Sequence, residues 1–129
     1  ELRMDACREC VEARTALAEE FRRLWPLFVA LGDENRQRVF LALLEADQVG
    51  LRAEEIAKRT NLSCPAVSRH LRTLRAAGAV ELYRDGTRTY YYPNAAASCW
   101  AELRKLSGHI CAVTENAAAE GYPNTEEEL

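Results

Sequence analysis

The amino-acid sequence predicts a mainly α-helical fold with one two-stranded β-hairpin. Three observations predict it: apolar residues recur at helical spacing through most of the chain, Asp85-Gly86 lies between two β-prone stretches, and Gly78 separates these stretches from the helices before them. The chain has 129 residues, of which 48% are hydrophobic, so it is long enough to bury a core. We therefore expect a single domain over residues 1–119, followed by a flexible acidic tail at 120–129.

The rest of the chain is organised around residues 51–77, which predict two short helices joined by a tight turn. In the first helix, Leu51, Ile56 and Ala57 face inward while the charged residues between them face solvent. Asn61 follows this helix, and asparagine tolerates the left-handed backbone conformation that ends a helix. Two helices joined in this way are typical of a helix-turn-helix.

The second helix of this segment has an apolar stripe and a polar, basic face. Ser63 caps its first turn and Pro65 lies within that turn, where the missing N–H costs nothing. The apolar stripe consists of Val67, Leu71 and Leu74. The opposite face consists of Pro65, Ser68, Arg69, Arg72 and Ala76. A basic face is often only solvated, so an ordinary helical hairpin is the alternative interpretation.

The segment after Gly78 predicts a β-hairpin over residues 79–92. Asp85-Gly86 is its turn signal, and Arg84 and Arg88 flank the tip. A helix-turn-helix followed at once by a hairpin with a basic tip is a winged helix. In this fold the second helix enters the major groove of DNA, and the hairpin, or wing, contacts the backbone or the minor groove.

The distribution of charge favours a nucleic-acid partner, although the whole chain has a net charge of −3. Between Lys58 and Tyr92 the chain carries seven basic and two acidic residues, a local charge of +5. Phosphate binding depends on this local patch, because counterions are released where the basic residues lie. A winged-helix module that binds another protein, with a merely solvated basic face, stays the alternative.

Helices are also predicted before the winged-helix segment. Residues 2–23 form the first, and the apolar run that begins near Pro26 forms a short second helix. We expect this second helix to be buried on more than one side, against its own domain and a partner subunit. Asp33 is the predicted cap of the third helix. The residues of this third helix predicted to face inward are Val39, Phe40, Leu43 and Leu44, and those predicted to face outward are Arg36 and Gln37.

The last predicted helix spans residues 96–119 and has one apolar face. That face consists of Trp100, Leu103, Leu106, Ile110 and Val113. Few elements of the same chain are left to cover it, so it is the expected surface of a homodimer, together with the N-terminal helix. A homodimer places two DNA-reading helices about one turn of DNA apart, as a two-fold operator requires.

Two stretches carry a resemblance to a known family: LFVALGDENRQRVFLALL, and EIAKRTNLSCPAVSRHLRTLRAAGAVELYRDGTRTYYY, in which Leu62 to Val80 is the most specific part. They closely resemble the arsenic-repressor (ArsR/SmtB) family of winged-helix transcriptional repressors. The resemblance implies a homodimer that binds operator DNA near the genes it represses and releases it when an effector binds. The residues expected to face DNA are Ser63, Cys64, Pro65, Ser68, Arg69, His70, Arg72, Arg84 and Arg88. For His70, packing within the domain is the alternative.

The chain departs from this family at two known metal sites. Aligned on Ile56, it has Arg52 and Glu54 where metal-sensing members carry two cysteines in the first helix of the helix-turn-helix. His109 lies in the last helix, but a second histidine at the spacing of the family's zinc site is missing. We therefore expect no zinc sensing through either site.

Five cysteines form the remaining candidate site. An odd number without disulfide-scaffold spacing predicts thiols in a reducing compartment, available for metal or redox chemistry. Cys7 and Cys10 lie on the same side of a helix, and Cys111, or alternatively Cys99, supplies a third thiolate if the terminal helices pack together. Three thiolates suit As(III) or another soft metal or metalloid.

The effector that these cysteines predict is therefore arsenite or a similar thiophilic ion, and no constitutive cofactor is expected. In the first alternative, a cysteine pair senses oxidants or persulfides. In the second, Cys99 and Cys111 are only buried small hydrophobic residues. Cys64 lies at the start of the second helix of the helix-turn-helix, where oxidation would add bulk and charge to the DNA face; a tolerated replacement without a specific contact is the alternative.

Other classes of protein have little support in the sequence. We find no Ser/His/Asp set, no recognisable pair of catalytic carboxylates and no Gly-rich phosphate loop, so we do not expect an enzyme. No apolar run approaches the roughly 18 residues of a membrane span. No signal peptide is visible at the N-terminus as given, and we therefore expect a cytoplasmic protein without a membrane partner.

Overall fold

The computed structural model describes residues 8–94 and 96–119, and it confirms a mainly α-helical fold with a two-stranded hairpin. The elements are α1 (Arg8–Arg23), α2 (Trp25–Leu31), α3 (Glu34–Glu45), α4 (Ala53–Thr60), α5 (Cys64–Ala76), β1 (Val80–Asp85), β2 (Arg88–Pro93) and α6 (Ser98–Ala119). The predicted tail at 120–129 and the first residues of the predicted N-terminal helix lie outside the described residues. None of the described helices is long and apolar enough to cross a membrane.

The chain divides into two compact units. One spans Leu24–Ala101 and contains α2 to α5 and the hairpin; the other combines α1 with the part of α6 that starts at Glu102. The helix-turn-helix and the hairpin, which carry the predicted DNA contacts, therefore belong to the same compact unit.

The unit from Leu24 to Ala101 is built on the apolar stripe of α5. As predicted, Val67, Leu71 and Leu74 are at most 1% exposed. Helix α5 packs against α2, α3, α4 and β1. The buried residues that these elements contribute include Leu27, Val39, Leu43, Ile56 and Val80. Full burial of one such side chain contributes about 1.5–3 kcal/mol, so the stripe holds α5 in one rotational setting.

Two polar side chains of α3 bind the end of α2. Nη1 of Arg36 donates to the carbonyl oxygens of Val29 and Ala30 at 3.2 and 3.1 Å, and Nε2 of Gln37 donates to that of Leu31 at 2.6 Å. The last carbonyls of a helix have no partner within the helix. The prediction that Arg36 faces outward is therefore wrong. Arg36 is half-buried because its side chain turns toward these carbonyls and donates hydrogen bonds to them, whereas Gln37 stays exposed.

The N-terminus of α3 follows the sequence prediction, and its apolar face does so in part. Asp33 caps the helix, since its Oδ1 accepts from the backbone N–H of Arg36 at 2.9 Å. Phe40 stacks on Trp100 with ring centroids 5.7 Å apart. Leu44, however, is 54% exposed. The prediction was wrong there because residue 44 lies about 100° around the helix from the buried Leu43, beyond the surface that α4 and α5 cover.

The two helices of the helix-turn-helix are joined as predicted, but the first begins later. Asn61 ends α4 with φ 59° and ψ 31°, in the left-handed region. Ser63 caps α5, because its Oγ accepts from the N–H of Ala66 at 3.3 Å. Leu51 is buried as expected, yet it precedes α4: its N–H and C=O exchange hydrogen bonds with Tyr91 at 2.9 and 2.8 Å. This single bridge attaches the segment before α4 to the free edge of β2.

The hairpin is antiparallel, and its register pairs Val80 with Pro93 and Asp85 with Arg88. The two loop residues are therefore Gly86 and Thr87, one position later than the Asp85-Gly86 signal suggests. Gly86 adopts φ 63°, and glycine reaches this conformation without strain. The glycine of the turn signal thus occupies the first loop position rather than the second.

The other unit contains α1 and the part of α6 from Glu102 onward. Its most buried apolar side chain among the described residues is Leu106, at 2% exposure. Nδ1 of His109 lies 2.8 Å from Oε2 of Glu20, which links α6 to α1. Apolar residues of both helices stay exposed, with Phe21 at 42% and Ile110 at 37%. The apolar faces predicted for these helices are therefore only partly covered within one chain.

We expect Gly50→Ala to destabilise the unit that carries the hairpin. Gly50 has φ 93°, and an added Cβ would lie 3.0 Å from Cε1 of Tyr83 and 3.2 Å from Cβ of Tyr90. The strain should lower the free energy of unfolding by about 1–3 kcal/mol. It should also displace Tyr83, whose hydroxyl donates to the carbonyl of Val49 at 3.2 Å.

The measurement is urea unfolding, with Gly108→Ala as the matched control. Gly108 lies within α6, and a Cβ there meets nothing within 4 Å. Alanine is the better helix former, so this control should be neutral or stabilising by up to about 1 kcal/mol. Equal effects of the two substitutions would contradict the steric account of Gly50.

Candidate nucleic-acid interface

The N-terminal turn of α5 is an open, capped helix end. Ser63 provides the cap and is exposed, as are Cys64 and Pro65, the first two residues of the helix. Backbone N–H groups at a helix N-terminus carry partial positive charge and favour anions. This end of α5 is therefore suited to phosphate oxygens or to the acceptor edges of bases.

The outward side of α5 is polar and basic along its length. Ser68, Arg69 and Arg72 are exposed, on the side opposite the buried stripe. Lys58 and Arg59 in the last turn of α4 are exposed too. These two were counted in the local basic charge of the sequence but were not predicted as contacts. Their exposure next to the turn extends the basic surface beyond α5.

His70 differs from its neighbours on α5 because it is half-buried. Burial lowers the pKa of His70, and the guanidinium of Arg36 lowers it further, while the carboxylate of Asp33 acts in the opposite direction. The neutral imidazole is therefore favoured. The hydrogen bond from the N–H of Arg36 lowers the pKa of Asp33 in turn. His70 thus lies in an electrostatic cluster with the first turn of α3.

Arg84 and Arg88 project from opposite faces of the wing. In the register, Arg84 is opposite Thr89 and Arg88 is opposite Asp85. Side chains alternate between the two faces of a strand, and directly paired residues share a face. The two arginines that flank the tip in the sequence therefore have different surroundings: Arg88 has a carboxylate directly across the ladder, whereas Arg84 has a neutral threonine.

An ion pair connects the end of α5 to the wing. Nε of Arg75 donates to Oε1 of Glu81 at 2.9 Å, and the same oxygen accepts from the N–H of Leu82 at 3.0 Å. The backbone hydrogen bond from Leu82 is the main cause, followed by Arg75, of the lowered pKa of Glu81. Arg75 is therefore engaged within the protein and is not a free cation of the basic surface.

Arg52, one of the two residues aligned with the two-cysteine metal site, forms an intramolecular ion pair with Glu55. The backbone N–H and Nε of Arg52 both donate to Oε1 of Glu55, at 3.1 and 3.2 Å. The backbone bond is the main cause of the lowered pKa of Glu55. Arg52 therefore takes part in the start of α4 and offers no metal ligand.

The predicted cysteine ligands lie in different environments. Cys10 is half-buried on α1, Cys111 is exposed on α6, and Cys99 is buried at 9% exposure. Cys7 lies outside the described residues. Within residues 8–94 and 96–119, no three His, Cys, Asp or Glu side chains are placed to hold a metal. The Cys7–Cys10–Cys111 site stays a prediction.

Cys99, the alternate ligand, has a clear structural place. Its Sγ lies 3.7 Å from the point where a Cβ on Gly78 would be, at the end of α5. Gly78 itself adopts φ 85°. Burial at this corner agrees with the interpretation of Cys99 as a small hydrophobic residue.

Comparison with known proteins agrees with this geometry. Residues 31–83 match the model of a family described as a helix-turn-helix domain. Over 65 residues the chain is 35% identical to the cadmium resistance transcriptional regulatory protein CadC of Listeria innocua, and equally to that of Lactococcus lactis. These matches cover 50% of this chain and 53% of each relative. The chain therefore spans about half the length of the curated relatives it matches.

Solved structures share the fold. An ArsR-like transcriptional regulator from Rhodococcus sp. RHA1 is 29% identical, with a TM-score of 0.59 over 78% of this chain and 87% of that one. Reduced HlyU from Vibrio cholerae is 26% identical, with a TM-score of 0.51 over 74% of this chain and 90% of that one. A homodimeric winged helix-turn-helix domain from Mycobacterium bovis, with a TM-score of 0.52 over 92% of each chain, is 24% identical and shows the fold alone.

The sequence resemblance and the similarity to the Rhodococcus regulator agree with each other, and the matched domain model describes the helix-turn-helix within them. The CadC proteins and the Rhodococcus protein are described as transcriptional regulators, in agreement with the expectation that this chain is not an enzyme. The chain thus contains a helix-turn-helix domain over residues 31–83 and is similar in sequence and fold to an ArsR-like transcriptional regulator.

Proposed function

We propose that this protein is a homodimeric repressor that binds duplex operator DNA and is released from it by a thiol-reactive effector. The observation that carries the proposal is the exposed N-terminal half of α5. A capped helix end, Ser68 and two arginines share one surface, and the opposite side of the helix is fully buried. A helix presented in this way fits the major groove, with its N-terminal residues at the base edges.

The contacts proposed for DNA divide into two classes. Ser63, Cys64, Pro65 and Ser68 lie at the helix end and meet base edges and nearby phosphates. The arginines are Arg69 and Arg72 on α5 and Arg84 and Arg88 on the wing; they neutralise phosphates or read guanine. His70 is proposed here only as a neighbour of this surface, because it is half-buried.

A homodimer is proposed from apolar surface that one chain leaves exposed. On α2, for which burial against its own domain and a partner subunit is expected, Trp25 and Val29 lie one turn apart and are 58% and 54% exposed within one chain. Val11 and Phe21 on α1 are exposed to 44% and 42%. Exposed apolar residues one helical turn apart, such as Trp25 and Val29, are a feature of association surfaces. A second copy of the chain is the occupant that a two-fold operator requires.

The effector is proposed to be a soft metal or metalloid bound by Cys7, Cys10 and Cys111, and arsenite is the first candidate. The support is chemical: thiolates prefer soft ions, and the CadC relatives are named for cadmium resistance. The alternative is a redox or persulfide switch that uses a cysteine pair. Oxidation of Cys64, which is exposed at the N-terminal end of α5, is a separate route to release. Release needs a coupling free energy of only about 1–3 kcal/mol.

Arg72→Ala should weaken binding to DNA from upstream of the protein's own gene by about tenfold or more, since one good arginine contact is worth about 1–3 kcal/mol. Fluorescence anisotropy across a salt series measures both the affinity and the salt slope. Arg104→Ala is the matched control, because Arg104 is an exposed helix residue of α6. If wild-type protein shows no salt-dependent binding to any duplex, a protein-interaction module becomes the better interpretation.

Arg84→Ala should reduce DNA affinity more than Arg88→Ala. Asp85 lies across the ladder from Arg88 and offsets part of its charge, whereas Arg84 faces Thr89. Loss of one phosphate contact lowers the slope of log K against log salt by about 1. We expect that change for Arg84→Ala and a smaller one for Arg88→Ala. A larger effect at position 88 would mean that DNA approaches the other face of the wing.

Arsenite should release the reduced protein from DNA, and Cys7→Ser/Cys10→Ser should abolish this response without changing basal affinity. Cys99→Ala serves as the control, because Cys99 is assigned to the core; it should keep the response. The same anisotropy assay is then repeated with a mild oxidant and with Cys64→Ser. Release by oxidant alone, lost in Cys64→Ser, would replace the metalloid proposal with a redox switch at the DNA face.

A further inference from the structure

The outer edge of β1 carries a carboxylate that binds its own strand. Tyr91 of β2 directs its N–H and C=O to Leu51, so Leu82, which lies opposite Tyr91, points its backbone groups away from β2. Oε1 of Glu81 accepts from this outward N–H of Leu82 at 3.0 Å. Among the described residues, no further strand pairs with β1 at this edge. Glu81 therefore binds a backbone donor that the sheet leaves without a partner strand.

The same carboxylate oxygen also binds α5. Nε of Arg75, in the last turn of α5, donates to Oε1 of Glu81 at 2.9 Å. We call these two hydrogen bonds, from Leu82 and from Arg75 to Glu81, the wing latch. Within residues 8–94 and 96–119, the bond from Arg75 is the only side-chain hydrogen bond between α5 and the wing. The Leu51–Tyr91 bridge and the Tyr83 hydroxyl instead join the wing to the segment before α4.

The wing latch is directional rather than strong. The side chains of Arg75 and Glu81 are 51% and 39% exposed, and ion pairs with such exposure contribute little to stability. Two donors on one oxygen nevertheless restrict the carboxylate to a narrow range of positions, because hydrogen bonds weaken steeply when they bend. The latch therefore restricts the angle between the wing and α5 while it adds little to the free energy of unfolding.

The position of Arg84 depends on this angle. Arg84 is exposed and lies three residues beyond Glu81 on β1, about 10 Å along the strand. In the described part of the chain, no hydrogen bond or ion pair holds its guanidinium in place. A rotation of the strand by about 10° at Glu81 would move Arg84 by about 2 Å, which is more than a hydrogen bond tolerates.

We propose that Glu81 and Arg75 are positioning residues of the wing: the latch that they form sets the angle at which Arg84 reaches the DNA backbone. This inference rests on the proposed function, because Arg84 is a proposed DNA contact. It gives a role in DNA binding to an acidic residue of a basic segment. Charge alone predicts the opposite effect of Glu81, since removal of a negative charge close to DNA should strengthen binding.

The test compares the DNA affinity of Glu81→Ala with that of the wild type, by anisotropy on the duplex from upstream of the gene. Glu81→Ala should weaken binding about tenfold, as the loss of one charge-assisted hydrogen bond does, and should lower the salt slope by about 1. Glu81→Gln keeps an oxygen that accepts from both donors, so it should bind close to the wild type. Glu54→Ala is the matched control, because Glu54 is an exposed acid of the same compact unit; its affinity should be equal or slightly higher.

A double-mutant cycle identifies the residue through which the latch acts. Arg84→Ala should weaken binding by about the same factor as Glu81→Ala, and the two changes together should be little worse than either alone. Arg75→Ala should behave like Glu81→Ala in this cycle, whereas an arginine that contacted phosphate directly would add its own loss. Three outcomes overturn the proposal: equal or tighter binding by Glu81→Ala, no effect of Arg84→Ala, or losses at position 75 or 81 that multiply with the loss at position 84.

Amide hydrogen exchange in the free protein separates this inference from the proposed function. The N–H of Leu82 should exchange slowly in the wild type and in Glu81→Gln, and faster in Glu81→Ala, because this edge N–H then lacks its acceptor. The urea midpoint should change little, since the ion pair is exposed. If the protein binds no duplex but Leu82 follows this pattern, the proposed function fails and the latch stands. Equal exchange of Leu82 in all three proteins refutes the latch itself.

Discussion

The burial of one apolar stripe on α5 is the constraint on which the rest of the structure depends. Val67, Leu71 and Leu74 are almost completely inaccessible, and their packing with α2, α3 and α4 defines which side of the helix is left for solvent. The proposed DNA contacts of α5 depend on this burial. Without a fixed rotation, Ser68, Arg69 and Arg72 would not share one surface with the helix N-terminus and the wing.

Hydrogen bonds of polar side chains add to the apolar packing and set the orientation of the helices and the wing. Side chains bind backbone groups at three helix ends. Arg36 donates to a carbonyl at the C-terminal end of α2, and Asp33 and Ser63 accept from N–H groups at the N-terminal ends of α3 and α5. The wing is held at three places: by the Leu51–Tyr91 bridge, by the Tyr83 hydroxyl and by Glu81. These contacts are modest in energy, about 1 kcal/mol each, but they are directional and therefore set orientation.

The arrangement separates recognition from the proposed sensing. The basic surface belongs to the compact unit of the helix-turn-helix, whereas Cys10 and Cys111 belong to the unit of α1 and α6. The net negative charge of the chain disfavours non-specific attraction to nucleic acid, whereas the local positive charge between Lys58 and Tyr92 favours an anionic partner at the proposed DNA contacts. In the proposed mechanism, an effector that binds the terminal helices acts by altering how two copies of the chain present the proposed DNA contacts.

The sequence by itself determined the helices, the hairpin, the caps at Asp33 and Ser63, the left-handed Asn61 and the buried stripe of α5. These features depend on periodicity and on local backbone chemistry, which are properties of neighbouring residues. Only the tertiary structure decided that Arg36 turns inward, that Leu44 stays exposed, that Leu51 pairs with β2, and that Arg84 and Arg88 occupy opposite faces of the wing. Each of these features depends on which surface a distant element covers or on the register of the hairpin. Neither is determined by residues that are close together in the sequence.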